Sequence, residues 1–109
     1  MQDALQVMTT TDSAEDAQRL AGLLIASRLA ACVQVIGPIE SMYWWEDRVE
    51  QAQEWLCLAK TRTERFVEIE QFIREHHTYD VPEIVALPVS HISTPYLQWL
   101  QATVPVVSS

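Results

Sequence analysis

Glycine is nearly absent. Only Gly22 and Gly37 occur in 109 residues, so the chain has few hinge points and no glycine-rich loop to cradle a phosphate. Basic residues are scarce too, with seven Lys and Arg against fifteen Asp and Glu and a formal net charge of -8. A surface this acidic repels phosphate backbones and anionic lipids, so neither nucleic acid nor a membrane is an expected partner. No apolar run is long enough to span a bilayer. The opening "MQDALQVMTTTDS" has neither the basic region nor the apolar core of an export signal, and a cytoplasmic location is the expectation. Cys32 and Cys57 lack C-x-x-C spacing and lie in apolar stretches. They are expected to be buried, reduced thiols rather than a disulfide. G-x-S-x-G and H-E-x-x-H are also missing, so nothing marks the chain as an enzyme.

The remaining residues read as one domain spanning 1–109, since this length can bury a core of its own. "ALQVMTT" predicts a first strand. In "TDSAEDAQRLAGLLIASRLAA" the apolar positions Ala17, Leu20, Ala21, Leu24 and Leu29 have the spacing of one helical face. Ser13 and Asp16 resemble a capping box at its start. "CVQVIGPIESMYWW" predicts a long second strand with a bulge at Gly37-Pro38, "EDRV" a turn, and "EQAQEWLCLAKT" a third strand. "TERFVEIEQFIREHH" predicts a second helix, with Phe66, Ile69, Phe72, Ile73 and His76 on one face. "PEIVALPVSH" predicts a fourth strand and "STPYLQWLQA" a short last helix, with Ser93 as N-cap and Pro95 in its first turn.

The order is β-α-β-β-α-β plus a short helix, an α+β class arrangement of the ferredoxin-like type. Its sheet order would be 4-1-3-2, with the fourth strand at an edge. Pro88 fits there, because proline in a strand is tolerated mainly at edges. Val81 precedes Pro82 and is pushed to extended geometry, so the second helix must end at the His76-His77 pair.

Such a sheet has helices on one face, and the other face should be polar if it meets water. Here both faces are apolar. Trp55, Cys57 and Ala59 oppose Leu56 and Leu58, and Ile84 and Ala86 oppose Val85, Leu87 and Val89. Fourteen residues of strand from Cys32 to Trp45 extend up to ~46 Å, against a diameter of ~35 Å for a compact domain of this length. The hairpin tip, with Met42, Tyr43, Trp44, Trp45 and Val49, should therefore project and dock on a second copy of the chain.

"RLAACVQVI", "SMYWWEDRVEQAQEWLCLAKT" and "HHTYDVPEIVALPV", with the later "YLQWL", together resemble the CutA divalent-ion-tolerance family. The resemblance covers nearly the whole chain. It implies a ferredoxin-like subunit in a tight homotrimer, similar in architecture to the PII signalling proteins, and a role in tolerance of copper and other divalent ions. The chain departs from the family at Asp47, where glycine is usual, at Arg48, where lysine is usual, and at Thr78, where proline is frequent.

For metal ligation the candidates are Cys32, the cysteine of the family's AAC motif, with His76 and His77. Thiolate and imidazole suit copper, and the expectation is weak binding of Cu2+ or similar divalent cations. Neighbouring helical residues point ~100° apart, so the two histidines do not easily share one ion within a subunit. The competing expectation is a core cysteine and a histidine pair that only ends a helix. His91 stands alone, and Glu46, Asp47, Glu50 and Glu54 read as a solvated rim. Glu83 beside Tyr79 and His77 could form an acid-base cluster. A PII-like module that binds a small molecule is the alternative function.

Overall fold

The computed structural model describes residues 3–106. Four strands and three helices follow in order: β1 Ala4–Thr11, α1 Ala14–Ala26, β2 Cys32–Trp45, β3 Arg48–Arg62, α2 Phe66–His76, β4 Val85–Pro88 and α3 Thr94–Thr103. A 3-10 turn, Thr63–Arg65, leads into α2. The sheet order is β2-β3-β1-β4, every neighbouring pair antiparallel. The expected βαββαβ arrangement and sheet order are both observed. β4 is an edge strand, but it is shorter than expected: four residues pair with β1, from Leu5–Pro88 to Met8–Val85.

α1 begins as its sequence requires. Ser13 is extended and its hydroxyl accepts from the Asp16 N–H at 3.0 Å, which satisfies one of the free donors of the first turn. The helix ends earlier than its apolar spacing suggests. Arg28 has φ 60°, the Leu29 N–H donates to the Leu24 carbonyl and the Arg28 N–H to that of Ile25. This is a Schellman stop, made here without glycine. Leu29 is buried all the same, because the motif folds it back against Leu24.

The core lies between the sheet and α1 and α2. Leu5, Val7 and Ala59 from the strands meet Leu20, Leu24, Leu29, Ile69 and Ile73. Each fully buried Leu or Ile contributes about 1.5–3 kcal/mol by leaving water. α3 closes the end of the sheet near Arg62, whose guanidinium Nε donates to the Val104 carbonyl at 2.8 Å; Leu100 of the helix and Val104 just after it are buried.

The opposite sheet face is apolar, as the strand patterns predict. Met8, Leu56 and Leu58 are half-buried there, and Ile36, Val85 and Leu87 are 38–49% exposed, taken with Val35 on the other face. The β2–β3 hairpin stands out from the body, and the molecule measures 43 × 26 × 23 Å. Its register shifts between Ile36 and Ile39, at the expected bulge, and the Gly37-Pro38 peptide is cis. Gly37 is needed at this place: a Cβ there would lie 2.6 Å from Cγ of Trp55. The tip is a two-residue turn. Glu46 and Asp47 have φ 51° and 62°, the left-handed pair of a type I′ hairpin, and Arg48 and Val49 belong to β3 rather than to the turn.

Candidate functional site

The loop after α2 builds a polar corner against β1 and β3. α2 ends at His76, and the His77 ring turns back onto β1. Its Nε2 lies 2.7 Å from the Thr10 carbonyl, and its Nδ1 accepts from the Tyr79 N–H at 3.0 Å. A carbonyl can only accept and an amide N–H can only donate, so the ring is the neutral form with the proton on Nε2. The Tyr79 ring packs against it at 4.8 Å, and the Tyr79 hydroxyl donates to Glu54 Oε2 at 2.8 Å. Burial, followed by the Glu54 carboxylate, pushes the Tyr79 phenol well above its ordinary value. It therefore remains a proton donor to Glu54 throughout the neutral range.

Glu54 is 5% exposed. This corrects the expectation of a solvated rim for it, whereas Glu46, Asp47 and Glu50 are exposed as expected. The signal was available in the strand's period of two. Glu54 shares a sheet face with Leu56 and Leu58, and the loop from His77 to Glu83 wraps over that end of the sheet. Glu54 and Tyr79 form one wall of a cleft of about 670 Å³. Tyr43 and Trp45, in phase with Glu54 across the hairpin, form the other, and Asp80 and Glu83 complete the rim. Tyr79 takes Glu54 as its partner, in place of the Glu83 that sequence proximity suggests.

The three candidate metal ligands are not gathered within the chain. Cys32 pairs across the ladder with Lys60, and Lys60 with Gln6. His77 is held at Thr10, four residues further along β1, or about 14 Å. His76 stacks on Phe72 at 4.1 Å, and its Nδ1 is spent on the Phe72 carbonyl at 2.8 Å, which leaves Nε2 for a ligand. Among the described residues no group of three His, Cys, Asp or Glu side chains converges as a metal would require.

Both cysteines are free thiols, but only Cys57 is buried; Cys32 is half-buried. Burial and then Asp16 push the Cys57 thiol up to about 11. The Cys32 thiol faces the Tyr96 phenol of α3, whose own titration is raised by burial and by that thiol. No helix is long and apolar enough to cross a membrane among the described residues.

The fold is that of a ferredoxin-like α+β domain with an extended hairpin and a polar cleft at the hairpin's base. Residues 5–103 match the family model of the CutA1 divalent ion tolerance protein, and the chain belongs to that family. The rice "Protein CutA 1, chloroplastic" is 40% identical over 98 residues, 90% of this chain. The chain spans only 55% of that relative's length. The "Divalent-cation tolerance protein CutA" of Thermus thermophilus is 41% identical over 95 residues, 87% of this chain and 92% of its own. The solved structure of the "Periplasmic divalent cation tolerance protein CutA" from Archaeoglobus fulgidus superposes with a TM-score of 0.91 at 36% identity, covering 94% of this chain and 99% of that one. These names place relatives in the chloroplast and the periplasm, so family membership does not fix the compartment.

Proposed function

We propose that this chain serves divalent-cation tolerance as a cytoplasmic homotrimer that binds copper or similar ions weakly and catalyses no reaction. The carrying observation is the uncovered apolar surface. Ile36, Val85 and Leu87 on the free sheet face, and Met42, Trp44 and Val49 on the hairpin, are all exposed in the single chain. Apolar strand faces and a projecting aromatic hairpin are stable in water only when covered. Symmetric copies of the same chain cover both at once.

Cys32, His76 and His77 are the soft donors assigned to the cation. Cys32 and the histidines stand at different ends of the sheet, so an ion shared between them is bridged by groups from adjoining subunits. His76 offers Nε2, and His77 joins only by giving up its bond to Thr10 or to Tyr79. That requirement accords with weak rather than tight binding. Imidazole and thiol ligands must lose their protons, so affinity falls as pH is lowered. Titration calorimetry with Cu2+ on the wild type, on Cys32→Ser and on the double variant His76→Ala/His77→Ala tests the assignment. Loss of binding in the variants with an unchanged assembly supports it, and equal affinity in all three removes it.

A second reading has its own observation. The 670 Å³ cleft lies within the size range of small-molecule sites, roughly 300–1,000 Å³. A PII-like module binding a metabolite at the base of the hairpin would use it.

A further inference from the structure

Glu54 is 5% exposed, and its hydrogen-bond partner is the Tyr79 hydroxyl. A carboxylate accepts about four hydrogen bonds, and buried charges are ordinarily paired. Among the described residues no cation of its own chain pairs with it; the ion pairs are Asp16–Arg19, Arg62–Glu64 and Arg65–Glu68. Lys60 donates to the Gln34 amide oxygen and Arg28 to the Thr103 carbonyl. Of the seven basic residues, Arg48 and Arg74 remain. Arg74 is exposed on α2, which packs on the other face of the sheet. Arg48 is exposed at the hairpin tip, opposite Trp45 in the ladder. It shares the sheet face of Glu54, because Arg48, Glu50, Ala52 and Glu54 alternate along one strand. Six residues of strand, about 20 Å, separate Arg48 from Glu54 within a chain, too far for a side chain to bridge.

One buried carboxylate lacks a cation and one exposed cation lacks a carboxylate, both on the face that symmetric copies cover. From this we infer that Arg48 of each copy forms an ion pair with Glu54 of the next. The inference rests on the assembly reading and names the contact that fixes how the copies meet. The hairpin tip enters the neighbour's cleft, so a segment of a second copy fills it. Asp80 and Glu83 at the rim carry the sign of Glu54 and draw the guanidinium in. Its five donors suit a carboxylate that has accepted only the Tyr79 hydroxyl. Each copy gives one Arg48 and receives another, a head-to-tail contact that closes into a ring.

A double-mutant cycle on the full chain tests the pairing: Arg48→Gln, Glu54→Gln and the double variant, with the dissociation constant of the assembly as the readout. Glu54→Gln keeps an acceptor for Tyr79 and removes the charge. Each single variant should weaken assembly, and the double should be weakened less than the two effects combined, by about tenfold or more for each pair. Arg74→Gln, the control, should combine additively with Glu54→Gln. Coupling between positions 48 and 54 cannot arise within a chain, because additivity is the rule beyond about 10 Å. Where Glu54→Gln does not fold, isotope-filtered NOE spectra of wild-type assemblies refolded from mixed labelled and unlabelled chains take its place. They should show the Arg48 side chain against the Tyr79 ring of a different chain. Additive effects at 48 and 54, coupling to Arg74 instead, or no contact between chains from Arg48 to Tyr79 overturns the pairing and leaves the assembly standing. A single chain in solution overturns both.

Discussion

The Tyr79 hydroxyl donates to Glu54 Oε2 at 2.8 Å, tying the loop that follows α2 to a carboxylate in β3. Removing the donor leaves a buried acceptor unsatisfied, which costs about 1–3 kcal/mol. Tyr79→Phe is therefore expected to lower the free energy of unfolding by that amount, seen as a lower denaturant midpoint at unchanged m, with the fold intact. The phenol titrates far above its ordinary value in the folded chain. Its contribution is thus fully present below the unfolded value of about 10 and declines as pH rises beyond it. The difference between wild type and Tyr79→Phe should shrink only under strongly alkaline conditions. Denaturation curves across that range check both statements.

His77 is expected to carry its proton on Nε2, since Nδ1 accepts from the Tyr79 N–H. Long-range nitrogen–proton correlation spectra at neutral pH distinguish the two tautomers directly. A protonated Nδ1 there would mean that the bond to Tyr79 does not form.

The thiols should differ in reactivity. Cys57 is 1% exposed and titrates at about 11, so little reactive thiolate is present at pH 8. Cys32 is half-buried. Iodoacetamide on the native protein should label Cys32 and spare Cys57 until the chain unfolds. Because folding favours the protonated Cys57 thiol, its share of stability holds below the ordinary value of 9.0 and is lost as pH rises through about 11. Peptide mapping after brief alkylation reads the outcome.

Gly37→Ala should be destabilising by about 1–3 kcal/mol, the usual cost of overpacking. The new Cβ would meet the Trp55 ring, and Trp55 is fixed in the β3 ladder opposite Thr11. A melting temperature equal to wild type would show that the ring moves aside freely.

The strands, the sheet order and the edge position of Pro88 were legible in the sequence because alternation and proline act locally. The end of α1 was not. The apolar spacing runs on to Leu29, but Arg28 takes left-handed geometry that sequence patterns associate with glycine. β4 was expected to be longer because its apolar run continues to Val89, whereas the pairing with β1 ends at Pro88. At the site, Cys32, His76 and His77 were chosen by ligand type, and ligand type carries no distance. The ladder places Cys32 and His77 about 14 Å apart along the strands. Glu54 escapes a reading by residue type because it follows the exposed acids Glu46, Asp47 and Glu50 on the same hairpin. Only its alternation with Leu56 and Leu58, and a loop arriving from 25 residues away, bury it.

Native mass spectrometry of the protein with Cu2+ present tests the central claim most directly, because assembly and ion appear in one spectrum. The account predicts a species of three chains, 3 × 12.5 kDa or about 37.5 kDa, carrying copper that is lost in Cys32→Ser and in His76→Ala/His77→Ala while the three-chain mass remains. A monodisperse single chain at micromolar concentration, or copper retained unchanged in both variants, would contradict it.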